Sequence, residues 1–165
     1  MPEKKITTCL WFDNEAEEAA EYYLSVFGDG RITDVQRYSE AGPGEPGSVV
    51  VVAFELFGQR FTALNGGKVD WAFNESVSFQ VHCEDQAEVD DLWAKLTADG
   101  GQESQCGWLK DRYGVSWQIE PKRLFELLAD PDPALVARVT EAMLTMKKID
   151  IPTLEAAAAP PTREA

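Results

Sequence analysis

The sequence predicts an α+β fold built from two βαβββ modules, followed by a helical appendage at the C-terminus. Three observations carry this expectation. The hydrophobic pattern runs strand, helix and three strands, and then runs through the same order again. The turn pair Asp29-Gly30 recurs seventy residues on as Asp99-Gly100, and Ala19, Tyr22, Tyr23 and Val26 shift by that interval onto Val89, Leu92, Trp93 and Leu96. The chain's 165 residues suffice for one domain with a proper core and are too few for two ordinary ones.

The first module is expected over about 6–65. Thr7 to Phe12 reads as a strand, and Asp13 or Asn14 can cap a helix from about Glu15 to Phe27. Ala16, Ala19, Ala20, Tyr23, Val26 and Phe27 keep the three-four spacing of one buried stripe. Gly30 is expected to supply the left-handed cap that ends the helix. Arg31 to Tyr38 reads as a strand, and SEAGPGEPGS (39–48) as a loop, because glycine and proline saturate it. Val49 to Leu56 and Gln59 to Asn65 then form a hairpin about Phe57-Gly58.

The second module is expected over about 76–121. From Ser76 to Cys83, the polar Ser76, Ser78, Gln80 and His82 alternate with Val77, Phe79, Val81 and Cys83, so the strand has one apolar and one polar face. A helix from about Gln86 to Ala98 follows, with Val89, Leu92, Trp93 and Leu96 on its buried stripe. Strands near Gln102 to Cys106, Trp108 to Lys110 and Val115 to Glu120 complete the module, the last entered through the turn Asp111-Arg112-Tyr113-Gly114. With the first module this makes one domain over 1–121.

The extension over 122–154 opens with a short helical turn from Arg123 to Leu128. Asp132-Pro133 then caps a helix carrying Leu135, Val136, Val139, Ala142, Met143 and Met146 at helical spacing. That stripe suits packing against the body or a second subunit. The tail EAAAAPPTREA (155–165) has no core-forming pattern and is expected to fray.

Composition narrows the function classes. Hydrophobic residues make up 44% and charged residues 27%, which excludes a disordered or fibrous chain. The net charge of −14, with the few cations in separated pairs, excludes nucleic acid as a partner. No apolar run approaches the roughly 20 residues of a membrane helix, and the Ile6 to Leu10 stretch is too short and polar for a signal sequence. Cys9, Cys83 and Cys106 form no C-x-x-C pair, so a disulfide framework and a thiolate zinc site are not expected. The expectation is a cytoplasmic protein with reduced thiols.

Catalytic signatures are sparse. Gly42-Pro43-Gly44-Glu45-Pro46-Gly47 satisfies G-x-G-x-x-G, but four valines of a strand follow where a phosphate loop must open a helix. His82 is the single histidine, and its neighbour Cys83 points to the opposite face of the strand, so the two cannot pair directly.

The repeat, with the segments CLWFD (9–13), FTALNGG (61–67) and CGWLKDRYGVSWQ (106–118), resembles the vicinal oxygen chelate (glyoxalase/bleomycin-resistance) superfamily, and within it the PhnB-like branch. Relatives in that branch often carry the label 3-demethylubiquinone-9 3-methyltransferase, although the fold the resemblance implies has no methyl-donor pocket. It implies a curved, mostly antiparallel sheet with helices outside and a concave face around a small-molecule cavity. Where metal-using relatives keep ligands, this chain carries Thr7, Thr62, Ser76 and Gln118, whose hydroxyls and neutral amide suit no transition metal. Glu120, two residues beyond Gln118, would be the centre of any relocated site. No cofactor and no metal are therefore expected. The cavity candidates are Thr7, Trp11, Thr62, Ser76, Ser78, Gln80, Ser116, Gln118 and Glu120, with Trp71 and Phe73 as further wall residues. The reading is a small-molecule-binding homodimer, with or without weak enzymatic activity. Its alternatives are a divalent-metal-dependent glyoxalase or dioxygenase, and a structural dimer with a vestigial cavity.

Overall fold

The structure, a computed structural model, describes residues 5–160. Met1 to Lys4 and the last part of the predicted tail, 161–165, lie outside the described residues. The chain divides between Ala72 and Phe73 into two compact units, each holding one of the predicted modules. The repeat is therefore real, and it builds two four-stranded mixed sheets, one per unit.

The first unit contains β1 (Thr8–Phe12), α1 (Ala16–Phe27), β2 (Gly30–Arg37), β3 (Val49–Leu56) and β4 (Gln59–Asn65). Its sheet has the order β1-β4-β3-β2. Two pairs are antiparallel, and β1 lies parallel to β4 because the α1 crossover returns the chain in the same direction. Leu10, Phe12, Val52, Phe54, Leu56, Phe61 and Ala63 are buried with Ala16, Ala19, Ala20, Tyr23 and Val26 of α1, which packs on β3 and β4.

Helix α1 keeps its expected span, but both of its caps differ. Neither Asp13 nor Asn14 caps it: Glu15 holds the cap position without a side-chain bond. The first amide, Ala16 N–H, donates instead to Asn65 Oδ1 at 2.8 Å, so the cap comes from the far end of the module. The left-handed residue at the C-terminus is Gly28 (φ 69°), and Gly30 already opens β2. The GPGEPG loop wraps a side chain: a Cβ at Gly42 or Gly44 would meet the Tyr38 ring at 2.8 or 2.4 Å.

The second unit contains β5 (Ser78–Cys83), α2 (Gln86–Thr97), β6 (Gln102–Glu103), β7 (Trp108–Lys110) and β8 (Ser116–Pro121), in the order β5-β8-β7-β6. Here Asp85 caps α2, accepting from Glu88 N–H at 2.9 Å. Ser76 is a correction: it lies in the turn before β5, where its N–H donates to the Asn74 carboxamide oxygen at 2.9 Å. Strand β6 stops at Glu103, well short of Cys106, because Cys106 and Gly107 adopt positive φ and turn the chain into β7. Asp111 organises the last turn. Buried to 2%, it accepts from Tyr113 N–H, Val115 N–H and Trp117 Nε1–H at 2.9, 3.1 and 2.9 Å.

The appendage is a three-helix cluster of α3 (Lys122–Leu128), α4 (Pro133–Leu144) and α5 (Ile151–Ala158). Leu124, Leu127, Val139, Met146, Ile149 and Leu154 form its core, with Leu135, Ala142 and Met143 against it. The α4 stripe is thus satisfied largely within the appendage. Helix α5 corrects the expectation that chain 155–165 frays from its start. Asp150 caps it, accepting from Thr153 N–H at 3.0 Å, and Leu154 is fully buried. The cluster is tied to its own module where Met146 and Lys147 carbonyls accept from the Cys106 and Gly107 amides.

Candidate functional site

Strand alternation gives each sheet a helix-covered face and an open face. In the first unit, register places Cys9, Thr62 and Ala53 side by side, with Trp11, Leu64 and Val51 as the next row. Thr62 and Trp11 therefore share the face opposite α1, and both are half-buried. Their immediate neighbours are apolar, and the same face continues into polar rows, with Glu55 between Arg31 and Arg60 at 3.4 and 3.9 Å and Asp34 and Gln36 on β2. Thr7 precedes β1 and is exposed. Trp11 is pinned: its indole N–H donates to the Gly67 carbonyl at 2.9 Å, and a Cβ at Gly66 would lie 2.2 Å from its ring. Trp71 stands edge-on to it at 5.7 Å and is exposed. A separate open cleft of about 550 Å³ at the strand ends is lined by residues including Asp13, Glu17, Arg37, Tyr38 and Gly66, and Arg37 is already engaged by Glu17 at 3.2 Å.

The second unit is different. Phe79, Val81, Cys83, Leu109, Trp117 and Ile119 turn toward the α2 side, and Ser78, Gln80, His82, Ser116, Gln118 and Glu120 occupy the other face. Parallel pairing sets Ser78 beside Ser116, Gln80 beside Gln118 and His82 beside Glu120. The side chains connect in sequence. Gln80 Nε2 donates to Gln118 Oε1 at 3.2 Å and to Glu120 Oε2 at 3.4 Å, and Gln118 Nε2 donates to Ser78 Oγ at 2.8 Å. Ser116 is 1% exposed, and its hydroxyl has no hydrogen-bond partner among the described residues. Glu120 is 8% exposed. Burial pushes its carboxyl above the ordinary carboxylate range, with the neighbouring His82 pulling the other way.

Of the predicted candidates, the structure thus brings Ser78, Gln80, Ser116, Gln118 and Glu120 into one strip and leaves Ser76 off it. Alternation already puts His82 on this face, though not among the candidates; Trp108 and Lys110, which share it, are missed by sequence reading, because they come only from the register of β7 with β8. Burial, then nearby carboxylates, raise the Cys83 thiol to about 12, so it is no nucleophile beside His82.

Neither implied partner group fits this chain. Among the described residues, no three His, Cys, Asp or Glu side chains gather closely enough to hold a metal, and hydroxyl and amide donors do not replace them. A nucleotide-type methyl donor has no cradle in the GPGEPG loop, whose glycines are taken up by Tyr38 and whose chain continues into β3.

A family model described as 3-demethylubiquinone-9 3-methyltransferase matches residues 4–120. The chain belongs to this PhnB-like family. The PhnB protein from Bacillus cereus is 36% identical, with 72% of this chain and 99% of that one covered and a TM-score of 0.65. At the level of the fold alone, the chain is also similar to protein PA1353 from Pseudomonas aeruginosa (17% identity, 72% and 98% covered, TM-score 0.60). At the same level it is similar to the fosfomycin resistance protein FosX from Listeria monocytogenes (13%, 79% and 100%, TM-score 0.54). No functionally curated protein matches.

Proposed function

We propose that this PhnB-like chain is a cytoplasmic small-molecule-binding protein that acts as a homodimer and holds its ligand through the polar face of the second module. One observation carries the reading. Ser78, Gln80, Ser116, Gln118 and Glu120 sit on a single strand pair, Ser116 and Glu120 buried, Ser78 and Gln118 half-buried and Gln80 exposed, where a structural face would be apolar or fully solvated. Thr62 and Trp11 supply, in the first module, one hydroxyl and one indole among apolar neighbours. Thr7 lies at their edge, and Ser76 only in the turn that leads to the polar strip. Any chemistry is secondary to binding and uses no resident metal or methyl donor.

The competing reading is a structural face, favoured by the hydrogen bonds the strip makes to itself. A thermal-shift screen of a metabolite-like library on the full chain separates the two, since a ligand of the folded state raises the apparent melting temperature. Hits whose effect disappears in Gln118→Leu support binding. A screen without hits, or hits that Gln118→Leu leaves untouched, ends the proposal. Metal analysis of protein purified without chelators tests the metalloenzyme alternative, and stoichiometric metal would establish it.

A further inference from the structure

The hydrogen bonds of the strip have a direction. Both amide hydrogens of Gln80 are spent, on Gln118 Oε1 and Glu120 Oε2, and one of Gln118 is spent on Ser78 Oγ. Three donors are left at one end: the Ser78 hydroxyl, the second Gln118 amide hydrogen, and the buried Ser116 hydroxyl that has no partner among the described residues. Acceptors are left at the other end: the Glu120 carboxyl and Gln80 Oε1. A ligand that completes this pattern presents an oxygen acceptor to the serines and a hydrogen-bond donor to Glu120.

Charge selects the kind of oxygen. Lys110, beside Ser116 on the same face, is held by Glu75 at 2.6 Å. The remaining donors are neutral, Glu120 is anionic once ionised, and the chain carries −14 overall, so a carboxylate is repelled where a carbonyl is not. Two residues along a strand span roughly 6.6 Å, which sets the Gln118-to-Glu120 step at about the width of a six-membered ring.

We infer that the strip takes an uncharged hydroxycarbonyl compound, its carbonyl oxygen on Ser78, Ser116 and Gln118 and its hydroxyl donating to Glu120. The inference rests on the ligand-binding reading above and narrows it to a substrate class.

The test is an amide NMR titration of the full chain with 4-hydroxycyclohexanone, cyclohexanone and 4-hydroxycyclohexanecarboxylate. The hydroxyketone shifts the amides of 78–80 and 116–120 saturably. Cyclohexanone binds several-fold more weakly, and the carboxylate roughly tenfold more weakly, each difference about the worth of one hydrogen bond or less than two. Ser116→Ala weakens the hydroxyketone by about fivefold, and Ser78→Ala, at a half-exposed position, does so by a similar factor. The inference is overturned if the carboxylate binds as tightly as the hydroxyketone, if both alanine variants bind normally, or if the strip amides do not respond. In each of these cases a library hit of other chemistry that depends on Gln118 leaves the broader reading standing, and a library without hits removes both.

Discussion

Ser116 carries the largest unmet demand of any single side chain in the polar strip. A hydroxyl shut away from water without a partner costs the folded state its desolvation, so removing it relieves the unliganded protein. Ser116→Ala is expected to raise unfolding stability by about 1 kcal/mol, read from the urea midpoint at unchanged slope. A decrease would show that a bound water or neighbouring group already satisfies it. Glu120 is the second such position. Its carboxyl is raised above the ordinary carboxylate range, so the folded chain binds the proton more tightly than the unfolded chain does. The stability this contributes is full below the unfolded carboxylate range and is lost as pH rises through the raised value. Glu120→Gln, which cannot ionise, is therefore expected to gain stability relative to the parent as pH rises from the unfolded carboxylate range through the raised value. His82 lies beside Glu120 in the register, and the buried Cys83 turns to the other face of β5. Parallel pH profiles for the two proteins would refute the burial account.

At the level of elements, two small features hold whole segments in place. The Asp111 carboxylate gathers two backbone amides and the Trp117 indole, and so sets the angle at which β8 leaves its turn. Asp111→Ala is expected to cost about 1–3 kcal/mol in stability. It should also blur the amide spectrum along β8, which carries three strip residues. Helix α5 is short, and its contribution rests on Leu154, fully buried in the appendage core. Leu154→Ala is expected to lose about 2–5 kcal/mol, the usual cost of a buried leucine cavity, whereas the exposed Leu144→Ala should change stability little. Equal effects would place α5 outside the cooperative unit. Both elements were partly legible in advance. The Asp132-Pro133 cap and the α4 stripe follow from local spacing, but α5 begins at an Ile-Pro pair and continues in alanines, a run whose only large buried anchor is one leucine.

At the scale of the whole molecule, both units repeat one topology with different surface chemistry. The first presents Cys9, Trp11, Val51, Ala53, Thr62 and Leu64 beside the ion-paired Arg31, Glu55 and Arg60, and the second presents serines, glutamines, a histidine and a glutamate. Assembly belongs to this scale too. Sedimentation at micromolar protein is expected to give twice the 18.3 kDa chain mass, and a single species at the chain mass would remove the dimer from the proposal.

The sequence by itself determined the two modules, the hairpin Val49–Leu56/Gln59–Asn65, the polar face of β8 and the family, because alternation, helical spacing and turn residues are local signals. Tertiary structure alone decided that Asn65 caps α1, that Ser76 falls off β5, that GPGEPG closes around Tyr38, and that Ser116 keeps an unmet hydroxyl. Each depends on which strand lies beside which, and on how deeply a polar atom is then buried. Periodicity assigns a side chain to a face; only packing determines what lies next to it there.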